Sequence, residues 1–131
     1  MTSLGVVIVT ARPEADLARC LSSLSAQTFT DFEVIVVCSG SDVPEKLEPL
    51  VAGELASRTR FIAVTNRGYG AACNKGTRLS SAPLLIFLND DTTLHPDCLK
   101  WLYESLSKDE SSIFQPLIFH EYAHRVMRGN P

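Results

Sequence analysis

The chain has 131 residues, of which 45% are hydrophobic and 21% charged, and a formal net charge of -3. That length and composition suit one globular domain with a real core rather than a disordered chain. The acidic balance and the lack of a basic run exclude a nucleic-acid binder that works by neutralising phosphates, and no apolar stretch nears the roughly 20 residues of a membrane span.

The N-terminus is apolar for only a few residues and has neither a basic start nor a small-residue cleavage site, so it reads as a first strand rather than a signal peptide. LGVVIVT (residues 4–10) is a short, continuous, β-branched run of the kind buried on both faces. The next segment places Leu17, Leu21 and Leu24 on one helical face, with Pro13 and Glu14 suited to a first turn. After the turn TFTDF, FEVIVVCSG (residues 32–40) predicts a second buried strand. Asp42 with Glu45 resembles a capping box, and the helix that follows would bury Leu47, Leu50, Val51 and Leu55. RFIAVT (60–65) is a third strand, NRGYGAACNKGTRLSSA (66–82) a glycine-rich turn entering a helix, and PLLIFLN (83–89) a fourth strand. A helix over 95–109 turns Leu99, Leu102 and Leu106 inward, and SSIFQPLIFH (111–120) predicts a fifth strand, weakened or placed at an edge by Pro116. The four cysteines form no C-x-x-C pair and no zinc-ribbon spacing, which points to reduced, mostly buried thiols.

Alternating strands and helices, with continuous apolar strands, predict an α/β fold: three layers, α/β/α, around a mainly parallel sheet. Ligands of such sheets bind beyond the carboxyl ends of the strands. The polar stretches there are 10–12, 38–42, 65–70 and 89–93. In the last, Asp90 and Asp91 sit where a buried strand opens to solvent. Carboxylates there can hold a hard divalent cation completed by waters and phosphates, although Asn and Asp are also ordinary turn residues. Gly68 and Gly70 before a helix allow a ligand close to the backbone, but the stretch is neither a P-loop nor a dinucleotide fingerprint. It reads equally as a tight turn in which Ala72 and Gly76 let the helix pack closely. CSGSD (38–42) is small and polar enough to meet a base or ribose, or is simply a turn. HEYAH (120–124) matches the zinc-hydrolase motif, with His95 the one further histidine.

Taken in order, these turns resemble the family 2 glycosyltransferases, which have the GT-A fold, and within them the rhamnosyltransferase-like branch. The third turn carries the likeness best: Asn66, Gly68, Tyr69, Gly70, Ala71, Ala72, Asn74 and Gly76, followed by the Asn89–Asp90–Asp91 version of a D-x-D motif. The likeness runs from Leu4 to about Ser107. It implies that Thr10, Ala11 and Arg12 line a nucleotide pocket and that Cys38, Gly40 and Ser41 contribute to the base site. It further implies that the segment from Asn66 to Gly70, with Gly68 at its centre, closes over the nucleotide, with Asn74 bracing that loop. Asp90 would face the ribose or donor sugar, and Asp91 would bind Mg2+ or Mn2+ at the diphosphate. The implied partners are a UDP- or dTDP-linked sugar and an acceptor saccharide or lipid-linked glycan, with no nucleic acid. The implied chemistry is inverting transfer to an acceptor hydroxyl, in the cytoplasm or peripheral to the membrane.

The sequence departs from the family in two places. Cys38 and Ser39 stand where many members carry an Asp, and a thiol is a poor acceptor. The carboxylates after Asp91 are Asp97, Glu104, Asp109, Glu110 and Glu121, none recognisable as the catalytic base. Residues 1–131 are therefore expected to form a single donor-binding domain without the acceptor-binding portion. A homo-oligomer or a partner chain could complete it. A non-catalytic nucleotide-sugar binding module and a zinc hydrolase built on HEYAH stand as alternatives.

Overall fold

The computed structural model describes residues 2–11, 14–40 and 44–118. Among these residues four strands are present, β1 (Leu4–Thr10), β2 (Phe32–Ser39), β3 (Thr59–Val64) and β4 (Leu84–Asn89). They form one sheet in the order β3-β2-β1-β4, and every pairing is parallel. Between them lie α1 (Glu14–Ser25), α2 (Pro44–Leu47), α3 (Gly53–Ser57) and α4 (Tyr69–Leu79), with α5 (Cys98–Lys108) after β4. This is the expected α/β architecture.

The alternation of side chains along each strand sorts the core into two layers. Leu4, Val6 and Ile8 of β1, Phe32, Val34, Val36 and Cys38 of β2, and Leu88 of β4 face one side. They pack there on Leu17, Leu21 and Leu24 of α1, Leu47, Leu55 and Leu99. Val7, Ile35 and Val37 face the other side, against Ala72 of α4. The thinner layer depends on a close approach. A side-chain carbon on Gly76 would run into Val7 Cγ1 and come within 3.2 Å of Val37 Cγ2. Ala72 and Gly76, one helical turn apart, thus let α4 sit almost directly on β1 and β2, as their small size suggests.

Two expectations are corrected. The single helix expected to bury Leu47, Leu50, Val51 and Leu55 is broken into α2, a 3-10 turn over Glu48–Leu50, and α3. Pro49 is the physical cause: it lacks the amide proton and its ring clashes with the preceding turn. Val51 is extended (φ -122°, ψ 141°). Leu50 and Val51 are only half-buried at the edge of the larger layer, whereas Leu47 and Leu55 are fully packed. The fifth strand is also not formed over its described part. Residues 113–118 have no regular structure, and Ile113, Leu117 and Ile118 are exposed. An apolar run becomes a strand only when it finds a sheet edge to pair with, and Pro116 removes one of the donors it would need. The Asp42 cap and the HEYAH histidines lie outside the described residues.

Candidate functional site

The strand order places the chain's reversal between β1 and β4. After β1 the sheet grows outward to β2 and β3, then returns to add β4 on β1's free side. Such a switch point opens a crevice beyond the carboxyl ends of the two strands. A cleft of about 250 Å3 lies at that end, lined by Val9, Ala11, Ser39, Asn66, Tyr69, Asn89, Asp90 and Asp91. It is on the α4 side of the sheet, because Val9, Ser39 and Asn89 share the strand face of Val7 and Val37.

Of the residues singled out in the sequence, Ala11, Asn66, Asp90 and Asp91 come together on the cleft wall. Thr10 stands behind it. Its side chain is 1% exposed, and its hydroxyl donates to Asp90 Oδ2 at 2.9 Å. The tie between Thr10 and Asp90, eighty residues apart, locks the end of β1 to the turn after β4. It also explains how a carboxylate can be 5% exposed without a prohibitive desolvation cost. Asp91, next in the chain, is exposed.

Cys38 does not face the cleft. It pairs with Thr10 in the sheet register and is wholly buried in the larger core layer, so the next residue, Ser39, supplies the wall instead. Period-two alternation was the signal that could have made this distinction. Gly40, with φ +116°, turns the chain out of β2. Arg12 and Ser41 lie outside the described residues. Gly68 has φ +99°, a conformation that suits glycine, and precedes the first residue of α4. Its N–H is accepted by Asn66 Oδ1 at 3.1 Å. Asn66 thus shapes its own loop, whereas Asn74 is exposed on the second turn of α4 and, among the described residues, makes none of the loop's hydrogen bonds. Gly70, in the first turn of α4, is also exposed.

Tyr69 and Asn89, which the sequence reading included in the turns 66–70 and 89–91 without giving either a contact of its own, also line the cleft. Tyr69 is 52% exposed, and its phenol lies 3.5 Å from Asn89 Oδ1. Gln27 was missed in the sequence. Its amide donates to the carbonyl of His95 at 2.8 Å, and its Oε1 accepts from the N–H of Leu99 at 3.0 Å. It thereby ties the end of α1 to the segment that leaves the carboxylate turn.

The local field is negative. Burial first, and then the charges of Asp90 and Asp91, push the Cys20 thiol up to about 12. Cys20 donates to the carbonyl of Asn89 at 3.7 Å. Burial, Cys73 and the charge of Asp90 likewise raise the Tyr69 phenol, which stays protonated at neutral pH. An anionic ligand would therefore meet two carboxylates, a situation that calls for a cation. Among the described residues, no group of three or more His, Cys, Asp or Glu could hold a metal by itself. An exposed carboxylate of this kind fits Mg2+ or Mn2+, which bind through one or two carboxylates and take their other ligands from waters and substrate phosphates.

Comparison with known proteins gives a consistent result. The family model described as Glycosyl transferase family 2 matches residues 5–128. Chondroitin synthase of Escherichia coli is 34% identical over 97 residues, which cover 72% of this chain and 14% of that protein. A PGL/p-HBAD biosynthesis glycosyltransferase of Mycobacterium tuberculosis is 33% identical over 91 residues, covering 69% of this chain and 36% of that protein. The chain thus spans about a seventh to a third of the length of these relatives. Among solved structures, residues 1–349 of S. aureus TarS match with a TM-score of 0.69 and 20% identity, over 88% of this chain and 39% of that one. The same region in complex with UDP-GlcNAc matches with a TM-score of 0.69 and 22% identity, over 83% and 32%. At that identity the likeness establishes a shared fold.

Proposed function

Because the chain belongs to glycosyl transferase family 2, we propose that it binds a nucleoside-diphosphate sugar with a divalent metal and presents it for inverting transfer to an acceptor hydroxyl. The observation that carries this reading is the meeting of Ala11, Ser39, Asn66, Asp90 and Asp91 around one cleft at the β1–β4 switch point. Asp91 would hold Mg2+ or Mn2+, and the metal would offset the charge that grows on the diphosphate leaving group. Asp90, held by Thr10, gives a fixed acceptor for a ribose or donor-sugar hydroxyl. Ser39 and Asn66 offer polar contacts to the base or ribose, with UDP and dTDP as the donor classes. The acceptor, a saccharide or lipid-linked glycan, would dock on polypeptide beyond the described residues or on a partner chain. A place in the rhamnosyltransferase-like branch and a cytoplasmic or membrane-peripheral location belong to the same reading. No helix among the described residues is long and apolar enough to cross a membrane.

A second reading, donor binding without turnover, is favoured by the carboxylates that follow Asp91 among the described residues, Glu121 lying outside them. The Asp97 carboxylate accepts from the Thr28 hydroxyl at 2.6 Å. Hydrogen bonds from Ser111 and Ser112 hold the exposed Asp109 below its ordinary range, the opposite of what a general base needs. Glu104 and Glu110 are exposed, and neither lines the cleft.

Titration calorimetry with UDP and dTDP, with and without Mn2+, tests donor binding. Micromolar to millimolar affinity that strengthens with Mn2+ is expected. Asp91→Ala is expected to remove the metal dependence and weaken UDP binding by roughly tenfold or more, as loss of a charged contact does. Absence of nucleotide binding at millimolar concentration would sink both readings. Turnover of a nucleotide-sugar then separates enzyme from module.

A further inference from the structure

Tyr69 and Asn89 both line the cleft, one from α4 and the other from the end of β4. Tyr69 opens α4, and its position is fixed from behind by the Asn66–Gly68 turn. Asn89 ends β4, on the sheet face that α4 covers, and leads directly into Asp90 and Asp91. The phenol oxygen is 3.5 Å from Asn89 Oδ1, and Cys73, one helical turn on, is a second partner for the same phenol. Either orientation of the Asn89 amide would bond, because a phenol both donates and accepts. The contact is long. A settled O–H···O bond is about 2.7–2.8 Å, so closing it requires an approach of roughly 0.7 Å between the two side chains. Hydrogen bonds that a ligand completes are often long in the free protein and tighten on binding.

We propose that Tyr69 is a positioning residue that latches the start of α4 onto the carboxylate turn, and that this latch closes when a nucleoside diphosphate occupies the cleft. The proposal rests on the nucleotide-sugar reading above. Its specific content is that the phenol acts through Asn89 on the turn that meets the diphosphate. The ring itself, being half-exposed on the wall, contacts whatever part of the ligand passes it. The hydroxyl and the ring therefore have separable effects.

The test uses the full chain with UDP and Mn2+ as the probe, and uridine as the probe lacking phosphates. Tyr69→Phe keeps the ring and is expected to weaken UDP binding about 3- to 10-fold, the range for one lost hydrogen bond, with uridine binding unchanged. Tyr69→Ala is expected to weaken both. Asn89→Ala is expected to match Tyr69→Phe, and the double variant to lose no more than either single one, because both remove the same link. Full additivity in the double variant, or unaltered UDP binding by Tyr69→Phe, overturns the latch. Nuclear magnetic resonance of the ligand-free protein reads the link without nucleotide: the Asn89 side-chain amide should shift in Tyr69→Phe. A wild-type chain that binds no UDP sinks the nucleotide reading and ligand-driven closure together. The ligand-free spectrum still decides the link itself, because an unshifted Asn89 amide overturns it.

Discussion

Thr10 and Asp90 illustrate how a site is made from residues that look unremarkable apart. The hydroxyl of one and the carboxylate of the other meet in the interior at the ends of neighbouring strands. Thr10→Val keeps the shape and removes the donor. It is expected to destabilise the chain by about 1–3 kcal/mol in urea unfolding, and to weaken UDP binding as the Asp90 turn loosens. Thr10→Ser should restore most of both. Cys20 reports on the same turn from the core side. Its thiol is pushed up to about 12 from its ordinary value of 9.0, so the folded chain holds the proton over a range where the unfolded chain has lost it. Stability is therefore unaffected by this group below pH 9 and falls between pH 9 and about 12, by up to about 1.4 kcal/mol per pH unit. Thermal unfolding across that range should show the loss, and Cys20→Ala should flatten it at some cost in packing. Alkylation of Cys20 in the native chain at pH 8 should be negligible, because the thiolate is the reactive form.

At the scale of elements, the strands and the long helices were legible because periodicity and burial agree. Continuous β-branched runs became β1 and β2, buried at every position but Val9 and Glu33, which are partly exposed. The leucines spaced along α1 all reached the core. The second helical stretch was misread because its apolar spacing outweighed Pro49 in the sequence argument, although a missing amide proton overrules spacing. The segment after α5 was misread because apolar content alone cannot show whether a partner edge exists. Gln27 carries a prediction at this scale. With its side chain bonded to Ser23, His95 and Leu99, it joins α1 to the start of α5. Gln27→Ala would leave the buried Leu99 N–H without this partner and should cost about 1–3 kcal/mol in denaturant unfolding. It should also speed hydrogen exchange at the Leu99 amide, with less effect in the centre of β1.

At the scale of the whole molecule, the sheet is covered unevenly. Among the described residues, helices fill one face, whereas on the other α4 lies over β1 and β2 and not over β4. Phe87 of β4, on that second face, is 50% exposed, and among the described residues β4 is hydrogen-bonded to β1 alone. An edge strand bearing an exposed aromatic favours edge-to-edge association. Sedimentation at increasing protein concentration should show self-association of the chain. Phe87→Lys should reduce it by placing a charge on the edge, with UDP affinity unchanged, since Phe87 does not line the cleft.

The sequence by itself determined the α/β class, the parallel sheet and the positions of the turns that could carry a ligand. It could do so because strand and helix periods and glycine placement are local properties of the chain. The ordered likeness of those turns to family 2 glycosyltransferases also named the family that the comparisons show. Tertiary structure alone decided which side chains meet across elements: Thr10 behind Asp90, and Tyr69 against Asn89. Those outcomes depend on register and strand order, since β4 returns to pair with β1 and brings residues some eighty positions apart within hydrogen-bonding distance. No local pattern in "LLIFLNDDTTLHP" specifies that pairing.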